Sequence, residues 1–222
     1  MQWDLHFFDR KGWNRMSGFF RNDHAVRLLG LILLVLSLFL SIDYNHTGSE
    51  AAYLLLIGVG TLTYHIVVRI IIGESFKYLK RNRADLTNPW YRTNRCEQEL
   101  QKKLKVRHWK DKLPTYDTEA FDPRQHSWTE IAQAMCQSEL VHECCAVASL
   151  LPILMIPYLG HPVFFLLISV LPSLIDLSFA MVQRYNRPRV MKVIEKEERL
   201  KEQQSEKVEE EVHSVYCSPQ NS

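Results

Sequence analysis

Glu139-Leu-Val-His142 places a carboxylate and an imidazole three residues apart. On a helix such residues share a face, so Glu139 and His142 are expected to touch each other or one common target. A histidine beside a carboxylate can act as a general base, because its pKa is close to neutral and the carboxylate stabilises the imidazolium. We therefore predict His142 as the catalytic base and Glu139 as the residue that orients its ring. The spacing is also compatible with a buried hydrogen-bonded pair that fixes this helix to a neighbour.

A second polar group follows the last apolar segment and reads QRYNRPR, from residue 183 to residue 189. Its guanidinium and amide groups could bind a phosphate or a carboxylate through paired donors. The predicted substrate-binding or donor-binding residues of this group are Gln183, Arg184, Asn186, Arg187 and Arg189. An amide here, from Gln183 or Asn186, could also stabilise an oxyanion. The alternative is that these arginines only anchor the end of a membrane helix.

A third group contains Trp109 and Lys110, within RHWKDKLP, and is predicted to cover the site. The alternative is an interfacial tryptophan-lysine anchor. His65 and Arg69 form a weaker fourth group, four residues apart on one helix face, which could line the same cavity or satisfy a carbonyl. The sequence has no paired histidine motif, and only one ExxH lies on a plausible core helix, so we predict no metal site. It also contains no GxSxG and no P-loop.

Four apolar segments must position these groups. Runs of this length and polarity are typical of helices that cross a bilayer. We expect the first two at about residues 25–42 and 52–73 and the fourth at 163–182. The third belongs to a helix that begins near residue 128, before the membrane, and reaches about residue 158, with Pro152 and Pro157 inside it. Residues 95–107 predict a short amphipathic helix, and a charged helix is expected after a break at Pro188. The sequence therefore predicts an all-α polytopic integral membrane protein with four transmembrane helices plus cytoplasmic amphipathic helices.

Lys and Arg residues are distributed unevenly along the chain. Five fall in residues 1–27, thirteen in 74–138 and eight after residue 182, whereas 43–51 and 159–162 contain none. Because basic residues favour the cytoplasmic side, this predicts a multi-pass protein of the cell membrane with both termini in the cytoplasm. The predicted organisation is an interfacial segment at 1–24, a membrane hairpin at 25–73, a cytoplasmic segment at 74–138, a second hairpin at 139–182, and a cytoplasmic arginine-rich motif, charged helix and tail at 183–222. The five cysteines are expected to be free thiols.

The order WKDKLP, ELVH and QRYNRPR, over roughly residues 100–195, resembles the glycosyl-4,4'-diaponeurosporenoate acyltransferase family. The QRYNRPR segment is the most specific part of this resemblance. The resemblance implies a membrane enzyme of bacterial carotenoid synthesis that esterifies a sugar hydroxyl of a glycosylated C30 carotenoid acid with a fatty acyl chain. It also implies that Trp109, Lys110, Glu139, His142 and residues 183–189 are the family-pattern positions.

Together these observations predict a membrane acyltransferase that acts on a hydroxyl of a glycosylated isoprenoid or carotenoid-like lipid at the cytoplasmic membrane face. The donor would be an acyl thioester, on coenzyme A or a carrier protein, and no bound cofactor is expected. The expected partners are membrane lipids and a glycolipid or glycosyl-carotenoid acceptor, with no nucleic acid; the sequence does not indicate an oligomeric state. Two alternatives are a non-catalytic scaffold for pigment or lipid synthesis and another lipid-modifying membrane enzyme.

Overall fold

The computed structural model describes residues 23–80, 84–110, 113 and 121–216. Its helices are α1 Asp23–Thr47, α2 Glu50–Lys80, α3 Arg95–Lys103, α4 Val106–Trp109, α5 Trp128–Ser149, α6 Ile156–Leu159 and α7 Pro162–Tyr216, with 3-10 turns at Pro89–Tyr91 and Leu151–Met155. No β-strand occurs among these residues, and four helical spans are long and apolar enough to cross a membrane. The predicted all-α membrane fold is confirmed. The predicted interfacial segment lies outside the described residues, except for its last two.

Helices α1 and α2 form a hairpin that is longer than predicted, with only Gly48 and Ser49 between them. The interval 43–51 expected between the first two spans is shorter in the structure, because α1 continues to Thr47 and α2 begins at Glu50. The Thr47 hydroxyl donates to the Asp43 carbonyl, and Gly48, at φ 63°, ends the helix while its N–H reaches the Tyr44 carbonyl. Glycine takes this left-handed conformation without the steric cost that a side chain brings.

The prediction of one continuous third helix is wrong, although Pro152 and Pro157 both lie within the apolar span Trp128–Leu159. Helix α5 ends at Ser149, and the 3-10 turn and α6 carry the chain to Leu159. Pro152 has no N–H to donate to the carbonyl of Ala148, four residues back. That carbonyl instead accepts a hydrogen bond from the Tyr64 hydroxyl on α2, at 2.7 Å. The break in the helix is therefore coupled to a contact between α2 and α5.

The predicted break at Pro188 is also wrong, because α7 runs without interruption from Pro162 to Tyr216. Pro188 is exposed, whereas Arg187 just before it and Ile194 after it are buried. Packing on both sides of the proline holds the helix together across the carbonyl that the proline leaves unpaired.

The predicted amphipathic helix at 95–107 is divided in two. Lys105, between α3 and α4, has a left-handed backbone with φ 51°, which ends one helix and redirects the chain into the next. Asn94 and Glu97 form a capping box that fixes the start of α3. These devices orient the segment of residues 84–110 along the end of the bundle, where α3 contacts α7.

The turn at Gly48 and Ser49 and the turn at Gly160 and His161, between α6 and α7, lie together at one end of the bundle. The Tyr53 hydroxyl at the start of α2 donates to the Leu159 carbonyl at the end of α6, at 3.0 Å. At the other end, Arg27 and Glu74 form an ion pair at 2.8 Å. With both turns at one end of the bundle, the four spans run alternately up and down, as an even number of membrane passes requires. That the second end is cytoplasmic stays a prediction from the distribution of basic residues.

Candidate functional site

Five charged side chains form a cluster where α3, α5 and α7 meet, here called the ion cluster: Glu97, Glu139, Glu143, Arg184 and Arg187. Arg184 Nε lies 2.8 Å from Glu139 Oε1, and its Nη2 donates to Glu143 Oε1 at 3.3 Å. Its Nη1 donates to Glu97, and Arg187 donates to Glu139 and to the Tyr91 carbonyl. Glu139 is fully buried, and Arg187 is only 3% exposed.

This geometry corrects two sequence predictions. Glu139 forms ion pairs with the two arginines, and among the described residues no hydrogen bond or ion pair joins it to His142. Both side chains meet α7, but at different levels: Glu139 meets Arg184 and Arg187, whereas His142, rotated by about 60° from Glu139, meets Asp176. Arg184 and Arg187 are correspondingly neutralised by carboxylates. Buried charges need such partners, and these two guanidiniums are not available to a donor phosphate as predicted.

Two aromatic residues that the sequence analysis missed cover the ion cluster. Trp90 Nε1 donates to Glu143 Oε2 at 3.2 Å, and the Arg184 guanidinium lies 5.7 Å from the centre of the Trp90 ring. The Arg187 guanidinium lies 5.0 Å from the centre of the Tyr91 ring, and burial raises the pKa of the Tyr91 phenol. Asn88, which caps the 3-10 turn, sets the position of both rings. Aromatic faces stabilise guanidinium groups in this way.

Trp109 and Lys110, the predicted cover, lie elsewhere on the segment. Trp109 Nε1 donates to the Leu104 carbonyl at 2.8 Å and so closes the turn between α3 and α4. Within the described residues, Trp109 makes no hydrogen bond to His142 or to the ion cluster. Lys110 is half-buried beside it. The tryptophan at the cluster is therefore Trp90, nineteen positions earlier in the chain.

A second group of polar residues lies deeper in the bundle, here called the membrane cluster: His65, Arg69, His142, Ser149 and Asp176. His142 Nδ1 lies 3.2 Å from Asp176 Oδ1. Arg69 Nη2 donates to Asp176 Oδ2 at 2.5 Å and to Ser149 Oγ at 3.0 Å. Arg69 Nη1 contacts the carbonyl and Nδ1 of His65 at 3.1 and 3.2 Å. The cluster thus joins α2, α5 and α7.

The His142–Asp176 pair has the geometry of a base and its orienting carboxylate. Asp176 is only 5% exposed, and Arg69 supplies its counter-charge. With the Nδ1 proton assigned toward Asp176, Nε2 is left to take a proton from a ligand. The ring is stacked on Phe179, with centroids 4.9 Å apart, which fixes its plane. The His142 side chain is 26% exposed, so a ligand can reach it.

Residues 87–196 match the model of the glycosyl-4,4'-diaponeurosporenoate acyltransferase family. This segment of the chain belongs to that family. The match confirms the resemblance predicted from the sequence, and it contains the whole ion cluster together with His142, Ser149 and Asp176. Curated proteins and solved structures give no match.

Asp176, the carboxylate that pairs with His142, lies in the family segment and was missed by the sequence analysis. Asp176 lies among the apolar residues SLIDLSF of α7, and a carboxylate in such a helix is a strong indication of function or pairing. His65 and Arg69, whose role the sequence left open, precede the family segment. They belong to the same polar cluster, Arg69 as the counter-ion of Asp176.

The remaining predicted residues of QRYNRPR differ in exposure. Asn186 is buried, Gln183 is half-buried, and Arg189 is exposed. Arg189 Nη1 donates to the Tyr185 carbonyl at 2.6 Å, and its guanidinium lies 3.9 Å from the centre of the Tyr185 ring. Arg189 has no carboxylate partner in the part of the chain that the structure describes.

The ion cluster and the membrane cluster lie near the same end of the bundle. Glu143, which contacts Arg184, is the neighbour of His142 in the chain. On α7, Asp176 precedes Arg184 by eight residues, an axial rise of about 12 Å. The predicted site residues His142 and Arg184 thus lie near the same end of the bundle, with His142 closer to the middle of the helices than the ion pairs are.

Proposed function

We propose that this protein is a membrane acyltransferase that moves a fatty acyl group from an acyl thioester to a hydroxyl of a glycosylated isoprenoid or carotenoid-like lipid at the cytoplasmic membrane face. Membership of residues 87–196 in a family named for acyl transfer supports the reaction class. The observation that carries the proposal is the His142–Asp176 contact at 3.2 Å, with the second imidazole nitrogen open to a ligand.

In the proposed reaction the acceptor hydroxyl approaches His142 Nε2. The imidazole takes the hydroxyl proton while the oxygen attacks the thioester carbonyl, so that a C–O bond forms. The tetrahedral intermediate then breaks its C–S bond, and the imidazolium returns the proton to the leaving sulfur. The products are an ester and a free thiol. Asp176 holds the ring by its Nδ1 proton and stabilises the imidazolium, and Arg69 holds Asp176.

The amide of Gln183 is our proposed donor to the oxyanion. It is half-buried at the end of the apolar part of α7, one residue before Arg184. Asn186, the other residue predicted for this role, is only 7% exposed and so is less accessible to a ligand. An amide donor placed where charge develops contributes roughly 3 kcal/mol to the barrier in comparable sites.

The ion cluster has a positioning role in this proposal. Arg184 connects Glu97 on α3 with Glu139 and Glu143 on α5, and Arg187 connects α5 with the Tyr91 carbonyl. These links hold residues 84–110 against the two helices that carry His142 and Asp176. Glu139 is accordingly a structural ion-pair partner and not the group that orients the base.

The test is a comparison of lipid extracts from cells that produce the wild type, His142→Ala or His46→Ala. His46 is an exposed histidine at the opposite end of the bundle, so its variant is the matched control. We expect His142→Ala to accumulate the free glycoside and to lose the ester at an unchanged level of membrane-inserted protein. Normal ester formation by His142→Ala would contradict the proposed mechanism.

The non-catalytic scaffold is the second candidate, because α7 continues as an exposed, charged helix beyond the family segment. Truncation after Lys196 removes this extension and leaves both clusters complete. The acyltransferase proposal expects the truncated protein to make ester, whereas a scaffold that binds partners through the extension would lose its effect.

A further inference from the structure

The basic residues of α7 that follow the ion cluster differ from Arg184 and Arg187 in their partners. Arg184 and Arg187 are paired with carboxylates, but Arg189 and Lys192, on the next turn, have no acidic partner among the residues that the structure describes. Both side chains are exposed. They border a groove between α7 and α3 with a cavity volume of about 230 Å³. Two cations without a carboxylate partner therefore border this groove.

The groove also presents neutral hydrogen-bonding groups. Thr93, Gln98 and Gln101 line it from the α3 side. Thr93 Oγ1 is buried and has no hydrogen-bond partner in the described part of the chain. Gln101 is only 9% exposed, although its side chain is an amide. Buried polar groups are normally satisfied, so an unsatisfied hydroxyl beside two cations that lack a carboxylate partner indicates a missing anionic ligand.

The position of the groove distinguishes a soluble ligand from a lipid phosphate. The twenty residues that span the hydrocarbon region from Pro162 end near Val182. At 1.5 Å per residue, Arg189 and Lys192 lie about 10 and 15 Å beyond that point. The headgroup layer is only about 5–7 Å thick on each side. The groove is thus on the aqueous side of the membrane surface.

The distance from the groove to the base fits an acyl-thioester donor. Phe179 stacks on His142, and the axial rise from Phe179 to Arg189 is about 15 Å. An extended pantetheine arm has a comparable length between its phosphate and its sulfur. A phosphate held at the groove would therefore place the thioester sulfur at the level of His142.

We propose that Arg189 and Lys192, with Thr93 and Gln101, bind the phosphate of the phosphopantetheine group of the acyl donor. The inference rests on the proposed function and locates its donor site. The pantetheine arm runs from the groove toward His142 beside the ion cluster. The shared ligand chemistry is a phosphopantetheine thioester, carried either by coenzyme A or by an acyl carrier protein.

Binding is measured on the purified full-length protein in detergent, without turnover. Coenzyme A, holo-carrier protein and pantetheine without phosphate are titrated by calorimetry into the wild type and into Arg189→Gln/Lys192→Gln. The control is Lys201→Gln/Lys207→Gln, which removes two exposed lysines from the same helix outside the groove. Because each lost charge-assisted contact corresponds to about a tenfold change, we expect the groove variant to weaken the phosphate-bearing ligand by at least about tenfold.

The control should bind as the wild type does, and pantetheine should bind both variants with equal weakness. Whichever of coenzyme A and holo-carrier protein shows the groove-dependent affinity identifies the natural source. Equal affinity of the wild type and the groove variant for both ligands, or no binding of either to the wild type, would overturn the inference. Loss of ester in His142→Ala together with an unchanged KM of the groove variant would refute the donor site and leave the acyltransferase proposal intact. If the wild type binds the ligand through the groove but makes no ester, the phosphate site stands and the acyltransferase proposal is refuted.

Discussion

His142 on α5 and Asp176 on α7 face each other across the bundle, with Nδ1 and Oδ1 3.2 Å apart. Asp176 is held on its other oxygen by Arg69 of α2, so three helices define the position of one imidazole ring. Without this contact the imidazole ring of His142 would be free to rotate about its side-chain bonds. The contact with Asp176 fixes both the tautomer of His142 and the orientation of its ring.

Asp176→Asn should reduce the esterification rate by about a hundredfold to ten-thousandfold, because an amide neither stabilises the imidazolium nor enforces the tautomer. The measurement is the initial rate in isolated membranes, normalised to inserted protein. Ser149→Ala is the control, since it removes a different contact of Arg69 and leaves the His142–Asp176 pair in place. A rate for Asp176→Asn equal to that of the wild type would show that the pair has no part in the reaction.

Glu139→Gln should destabilise the protein by about 3–5 kcal/mol, because it leaves the buried Arg187 guanidinium without its carboxylate. Thermal unfolding in detergent measures this loss. Glu99→Gln is the matched control, since its ion pair with Lys102 is exposed and is expected to contribute less than about 1 kcal/mol. Unchanged stability of Glu139→Gln with loss of ester would instead restore the direct catalytic role that the sequence indicated.

The four membrane spans could be predicted from the sequence because hydropathy and length alone determine them. Their ends could not, since each depends on a tertiary or local contact. Tyr64 takes the carbonyl that Pro152 leaves open and helps to end α5. Pro188 has the same chemistry, yet buried neighbours on both sides keep α7 continuous. One residue type thus gives opposite outcomes in two places.

The candidate site was predictable in part. The order of the apolar segments predicted that His142 and the QRYNRPR motif lie at one end of the bundle, whereas the spacing of Glu139 and His142 assigned the wrong carboxylate to His142. Residues that meet from different helices, such as Asp176 and His142, share no sequence period. Asp176 nevertheless carried a signal, because a single carboxylate in an apolar helix requires a partner. Trp90 carried none, since only the fold decides whether Trp90 or Trp109 reaches the ion cluster.

Gly30→Leu should weaken the packing of α1 on α2 by about 1–3 kcal/mol, because a larger side chain there must displace its neighbours. A Cβ at this position would lie 3.3 Å from Ile66 Cγ2 and 3.4 Å from Ile70 Cδ1. Gly58→Leu is the control, because a Cβ at Gly58 meets nothing within 4 Å. Thermal unfolding of both variants in one detergent gives the comparison. Equal stability of the two variants would show that the close approach at Gly30 does not hold the hairpin together.

The membrane orientation predicts opposite labelling of two cysteines. Cys96 is exposed on α3, at the end of the bundle that the basic residues assign to the cytoplasm, and Ser49 is exposed in the turn at the other end. One variant keeps Cys96 alone, and a second has Ser49→Cys as its single cysteine. A membrane-impermeant maleimide on intact cells should label only the second variant, and the first should react after permeabilisation. The reverse pattern would show that the orientation is opposite to the predicted one. Labelling of both variants in intact cells would place the turn and α3 on the same side of the membrane, which would contradict the even number of passes.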